Sequence, residues 1–244
     1  MSRFLNRVLR IFGKGRPEEP VVAVDDDMEW FWPPRDVHNA EAWDRYWNDQ
    51  VTHGLAPPLF DLFNFGAEEE VVRTMLDHGM RTVLCVGSGI SQEPRALAEA
   101  GFEVTVLDLS PVGLRLAQAW QSDDSEAPEF YPAELRRPGG RVQFVAGDLL
   151  DPTLCPGPFD MVIERRTLQL FPPEELPQAL EALAARLGPE GILVSHYHSG
   201  RWKPPEPRVH GLKELFLKHG WDVRDFPPDS KSKGRVAWLI FTTG

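Results

Sequence analysis

From about Glu68 onward, short apolar runs alternate with amphipathic stretches, the rhythm of strands and helices in a doubly wound α/β sheet. Residues 83–86 are apolar without a break, as expected of a strand covered on both faces of a parallel sheet. Gly87 and Gly89 then turn the backbone and leave no Cβ between main chain and ligand. Ser91 is placed to cap the helix that follows, Pro94 fits its first turn, and Gly101 ends it. Upstream, Val71, Val72, Met75 and Leu76 share one face of a helix over 68–79. Downstream, Glu103–Asp108 reads as a second strand, and Ser110 with Pro111 starts a second helix at once. The polar, Pro- and Gly-containing stretch 121–141 reads as an irregular connection. Further strands are expected at 142–146, 159–163 and 191–194, with a closing pair at 220–223 and 236–240.

The chain before this pattern is different in kind. Phe4, Leu5, Val8, Leu9, Ile11 and Phe12 alternate with Arg3, Arg7 and Arg10 at helical spacing, a basic amphipathic helix too interrupted by arginine to cross a membrane. Docking on its own domain or on a second subunit, lying on a membrane surface or partner, and serving as a tail all fit; the membrane surface is not the favoured reading. Residues 13–34 are rich in Pro, Glu and Asp and read as a linker, with Asp25, Asp26 and Asp27 as solvated charge rather than a metal site. Trp43, Tyr46 and Trp47 follow within two turns of one helix, either as a face capping the core or as an aromatic lid over a substrate crevice. The organisation is therefore an N-terminal extension over 1–66 and one domain over 67–244.

Composition narrows the partners. A formal charge of −11 argues against a surface that tracks phosphates, so nucleic acid is not expected. With two cysteines, Cys85 inside a buried strand and Cys155, no disulfide framework is expected and a cytoplasmic location fits best.

The chemistry gathers at the glycine turn. Asp108 ends the second strand nineteen residues after Gly89, where a carboxylate can accept hydrogen bonds from both hydroxyls of a ribose. Dinucleotide-dependent oxidoreductases and S-adenosylmethionine-dependent methyltransferases share that arrangement. The dinucleotide fingerprint fails, because Gln92 stands where its last glycine belongs. After Asp108, Leu109 is held at the crevice edge, where an apolar side chain can pack on a purine. At the end of the third strand come Gly147, Asp148 and Leu149. Asp148 is either a turn acid or an acceptor for the adenine amine.

On residues 83–89, Asp108, Gly147-Asp148, 159–163, 191–194, 220–223 and 236–240, the chain resembles the class I S-adenosylmethionine-dependent methyltransferases across roughly 68–244. The resemblance implies a Rossmann-like, seven-stranded sheet whose last strand runs antiparallel, and S-adenosyl-L-methionine as cofactor. It implies cofactor contacts from Cys85, Gly87, Ser88, Gly89, Glu93, Asp108, Leu109, Gly147, Asp148, Leu149 and Glu164. Two positions depart from the family pattern: Cys85 stands where an acid is usual, and Ser91 where a third glycine is usual. Glu93, close to the same helix start, is the candidate replacement for the acid. The glycine turn is also faintly similar to the thiopurine and thiol methyltransferase branch.

In such a sheet, reacting groups come from the carboxyl ends of the fourth and fifth strands. That places Glu164, His196 and His198 as candidate catalytic residues, and Trp43, Trp47, Arg165, Arg166 and Trp202 against the substrate. Arg165 and Arg166 are either a surface ion cluster or a clamp for an anionic group. His196 and His198 share one face of an extended chain, but with no third ligand in view they read as a base or a pocket wall and no metal is expected. The function expected is methyl transfer to an oxygen, nitrogen or sulfur of a small-molecule acceptor. The rival is a non-catalytic cofactor-binding regulator, membrane-associated through residues 3–12.

Overall fold

A computed structural model describes residues 33–34, 36–52, 69–121, 130–198, 209–218, 220–225 and 235–241. The amphipathic stretch 3–12 and Trp202 lie outside the described residues.

Among the described residues, six helices and seven strands follow one another as α1 (Ala40–Thr52), α2 (Glu69–Asp77), β1 (Thr82–Val86), α3 (Glu93–Glu99), β2 (Glu103–Asp108), α4 (Pro111–Gln121), β3 (Arg141–Ala146), β4 (Phe159–Arg165), α5 (Leu176–Ala184), β5 (Leu187–His198), α6 (Val209–Lys218), β6 (Asp222–Asp225) and β7 (Arg235–Phe241). The expected α/β core is present. β1 pairs in parallel with β2 on one side and β4 on the other, β2 with β3, and β4 with β5. β7 pairs antiparallel with both β5 and β6, which completes the strand order β3-β2-β1-β4-β5-β7-β6.

The unbroken apolar run in β1 has a simple cause. Val83 and Cys85 face one core layer, against Val71, Val72 and Met75 of α2 and Ala96 and Leu97 of α3. Leu84 and Val86 face the opposite layer, against Leu176, Leu180 and Leu183 of α5 and Leu212 and Phe216 of α6. With helices on both faces, alternation has no polar side to report.

Two polar side chains hold the parallel strands in register. Asp160 Oδ2 accepts from the N–H groups of Arg81 and Thr82, at 2.7 and 2.9 Å, and from the Thr82 hydroxyl at 3.0 Å, tying the start of β4 to the start of β1. Burial pushes that carboxyl up, but the three donors outweigh it and hold it below its usual range. Arg186, buried just past α5, donates to the carbonyls of Ala182, Asp151 and Leu154. It thereby fastens the connection between β3 and β4 to the helix.

The irregular stretch before β3 is not all surface. Tyr131 and Leu135 are buried in the same core layer as α2 and α3, and polar neighbours mask them in the sequence.

Candidate active site

β1 ends in a turn where Gly87 and Gly89 have φ of +61° and +52°, a region that only glycine enters without strain. Steric room adds a second demand. A Cβ on Gly87 would collide with the Thr167 hydroxyl, and one on Gly89 would come 2.7 Å from Cη2 of Trp47. The helix α3 starts one residue later than expected, with Gln92 at its cap, yet Ser91 still serves its first turn because its Oγ accepts from the Glu93 N–H at 3.1 Å.

Asp108 sits at the end of β2 with both oxygens on main chain. Oδ2 accepts from Gly89 N–H at 2.7 Å, and Oδ1 from Ser110 N–H at 2.8 Å. Burial pushes this carboxyl up, the two N–H donors pull it down, and Asp44 nearby pushes it up again. Ser110 caps α4 as expected, its Oγ accepting from Gly113 N–H at 2.9 Å. Leu109 is half-buried beside it.

Gly147 follows β3 and donates its N–H to Asp108 O at 2.9 Å, so the ends of β2 and β3 stand side by side. In the next residue, Asp148 Oδ1 accepts from Leu150 N–H at 2.8 Å, the turn role, while Oδ2 faces His38 Nδ1 at 2.8 Å. Leu149 is buried in the core layer of α5 and α6. Asp108 and Asp148 thus stand at adjacent strand ends of one sheet edge.

The polar residues of β4 and β5 divide between the two faces. Glu164 is 2% exposed and lies on the α5 side; its Oε1 accepts a short hydrogen bond from the Ser195 hydroxyl, and its Oε2 accepts from Thr167 and Leu168 N–H, both at 3.1 Å. Burial is the larger effect and pushes the carboxyl up to about 7, against the pull of these three donors. Its position is that of a brace under the turn 165–168. Arg165, its side chain 8% exposed, points to the other face, with Nη1 3.9 Å from Oε2 of the buried Glu93.

Cys85 lies in the same layer, where burial raises its thiol well above the ordinary value, Glu93 raises it further, and Arg165 lowers it. Glu93 therefore reaches, from the helix, the neighbourhood of the strand position where an acid was missing. His196 is buried, and its carbonyl accepts the N–H of Arg166 at 2.9 Å. Arg166 is one of only two described residues other than glycine with positive φ, at +60°, a strained backbone at the carboxyl edge of β4. His198 is in β5, and nothing is described of its side chain. No group of three or more His, Cys, Asp or Glu suited to a metal occurs among the described residues.

The aromatic helix also touches this edge. Within α1, Trp43 stacks on Trp47 at 6.5 Å and Tyr46 meets Trp47 edge-on at 5.0 Å. Trp47 lies against Gly89 and Gly113. Asp44, which sequence reasoning did not mark, accepts from Ser110 Oγ at 2.5 Å and from Val112 N–H at 3.0 Å. His38, also unmarked, bridges Asp148 and Glu175. Neither has a local motif, because their partners lie 66 to 137 residues away in sequence.

A family profile described as a methyltransferase domain matches residues 83–191. No curated protein sequence matches the chain. Among solved structures, magnesium protoporphyrin IX methyltransferase from Synechocystis, with bound S-adenosylmethionine, is similar at 17% identity and a TM-score of 0.55, over 99% of this chain and 92% of that one. The 1,6-didemethyltoxoflavin-N1-methyltransferase of Burkholderia thailandensis is similar at 19% identity and a TM-score of 0.56, over 87% and 93%. A TehB-like methyltransferase from Corynebacterium glutamicum is similar at 18% identity and a TM-score of 0.53, over 83% and 97%. At such identities these three likenesses are of fold.

Proposed function

We propose that the chain is a class I S-adenosylmethionine-dependent methyltransferase whose acceptor is a small molecule methylated on oxygen, nitrogen or sulfur. The observation that carries the cofactor half of this reading is the convergence of Asp108, Gly147-Asp148 and the bare turn 87–89 on one sheet edge.

The residues present fit the cofactor. Each Asp108 oxygen spends one lone pair on main chain and has a second for a ribose hydroxyl. Asp148 is an acceptor for the adenine amine, with Leu109 and Leu149 as apolar flanks. Main chain at Gly87, Ser88 and Gly89 approaches the sugar and the methionyl part, and Glu93, with Arg165 beside it, serves the amino acid end in place of an acid at Cys85. The cofactor supplies a methyl group on a sulfonium, so transfer is an in-line displacement in which the C–S pair stays on sulfur.

The protein's own task is alignment, worth roughly 7–11 kcal/mol when reacting atoms are held in line. Thr167, Arg166 and His196 line the edge where the acceptor enters, and Arg166 offers charge to an anionic acceptor. His196 is the group placed to hold or move a proton there. Glu164 acts by bracing 165–168 rather than as the base, since it is 2% exposed and three donors already converge on its oxygens. The similar structures that act on magnesium protoporphyrin IX and on 1,6-didemethyltoxoflavin support a small-molecule acceptor.

The test is calorimetric. Asp108→Asn is expected to weaken S-adenosylhomocysteine binding by about 1.5–3 kcal/mol, the range for hydrogen bonds to a charged group. An unchanged Kd removes the ribose assignment. Formation of S-adenosylhomocysteine over a panel of hydroxyl, amine and thiol acceptors tests turnover; tight cofactor binding with no product on any of them supports the regulator instead.

A further inference from the structure

We propose that α1 is a gate on the cofactor crevice, shut in this structure, with Trp47 filling the entrance and Asp44 latching it. The proposal rests on the reading that the cofactor lies along 87–89, Asp108 and Asp148.

Three residues of one short segment touch three edges of that crevice. His38 meets Asp148 beyond β3, Asp44 meets Ser110 and Val112 at the start of α4 beyond β2, and Trp47 covers Gly89 beyond β1. The three contacts belong to strand ends that are neighbours in the sheet, in the order β3, β2, β1. The segment therefore reaches across all three strand ends.

Trp47 is the obstructing residue. Its six-membered ring sits where a Cβ of Gly89 would be, and its pyrrole edge comes 2.9 Å from a Cβ built on Gly113. The glycine turn is open for a ligand to approach bare main chain, and the indole now takes that approach. Cofactor and indole cannot share it, so entry requires α1 to move.

The attachment of α1 suits a part that moves. Gln50 alone among its residues is buried, so little core is lost on release. What holds it is specific instead: the Asp44 carboxylate accepts from a side chain and a main-chain N–H at the amino end of α4, where a helix favours negative charge. Trp43 and Tyr46 pack on Trp47 and fix its ring.

A shut gate lowers apparent affinity by the fraction of molecules that are open. Stopped-flow tryptophan fluorescence on the full chain with S-adenosylhomocysteine reads this directly. For the unaltered protein the observed rate is expected to level off with ligand concentration at the opening rate. Asp44→Ala removes the latch and is expected to raise that plateau at least fivefold and lower Kd by a similar factor. Trp47→Ala, followed by equilibrium calorimetry, is expected to bind at least as tightly as the unaltered chain.

A rate that stays linear in ligand and is identical in Asp44→Ala overturns the gate. So does a Trp47→Ala variant that binds tenfold more weakly, because the indole is then a wall of the site. If no variant binds S-adenosylhomocysteine at all, the placement of the cofactor fails, and the gate with it.

Discussion

A carboxyl group sealed between two strands resists ionisation, and Glu164 shows the consequence for stability. Its value in the folded protein is raised from 4.5 to about 7, chiefly by burial. The contribution it makes is thus complete below about 4.5 and is lost as pH rises through about 7. A displacement of that size corresponds to on the order of 3 kcal/mol. Glu164→Gln, which keeps the shape without the charge, is expected to be more stable than the unaltered protein at pH 8 by up to that amount, and nearly equal to it at pH 4.5. Urea unfolding at the two pH values checks this, and an equal difference at both would reject it. Serine and glutamate side by side in the sequence pattern would not reveal this pair, since Ser195 and Glu164 meet only because β4 and β5 pair in register.

At the scale of elements, the connection between β3 and β4 depends on one buried guanidinium. Arg186 satisfies three carbonyls from two directions, a geometry that its planar fork supplies and an ammonium does not. Arg186→Lys is expected to cost about 1–3 kcal/mol in urea unfolding. It is also expected to weaken cofactor binding, because Asp148 belongs to the tethered connection. Loss of stability with unchanged affinity would separate the tether from the site.

The attachment of the segment before α1 carries a pH dependence. His38 is raised above its usual value by its bond to Glu175, against burial, and further by Asp148. Bridging two carboxylates requires both ring nitrogens to donate, which only the imidazolium does. The contribution is full below about 6.5 and is lost as pH rises through the elevated value. Amide exchange in α1, corrected for its intrinsic rate, is expected to be faster at pH 8.5 than at 5.5, and His38→Ala is expected to abolish the difference.

For the whole molecule, a cofactor that binds only the folded state must stabilise it. S-adenosylhomocysteine at one hundred times its Kd is expected to add about 2.7 kcal/mol, a rise in Tm of roughly 5–11 °C for a chain of this size. Scanning calorimetry measures it, and no shift at saturation would contradict folding-linked binding. The formal charge of −11 sets the complementary expectation that duplex DNA is not retained at about 0.15 M salt.

The sequence by itself determined the parts whose causes are local. Continuous apolar runs mark strands buried on both faces, a glycine turn marks positive φ beside bare main chain, and Ser110 before Pro111 marks a helix start. The carboxylates at 108 and 148 were placed by the same means, one closing its strand and the other two residues beyond its own. Tertiary structure alone decided what those carboxylates face, that Glu164 braces rather than points outward, that Glu93 comes near Cys85, and that Trp47 lies against the glycine turn. The reason is physical: hydrogen bonds such as Asp44 to Ser110 or His38 to Glu175 join residues with no sequence period in common, so only the packed chain brings them within 3 Å.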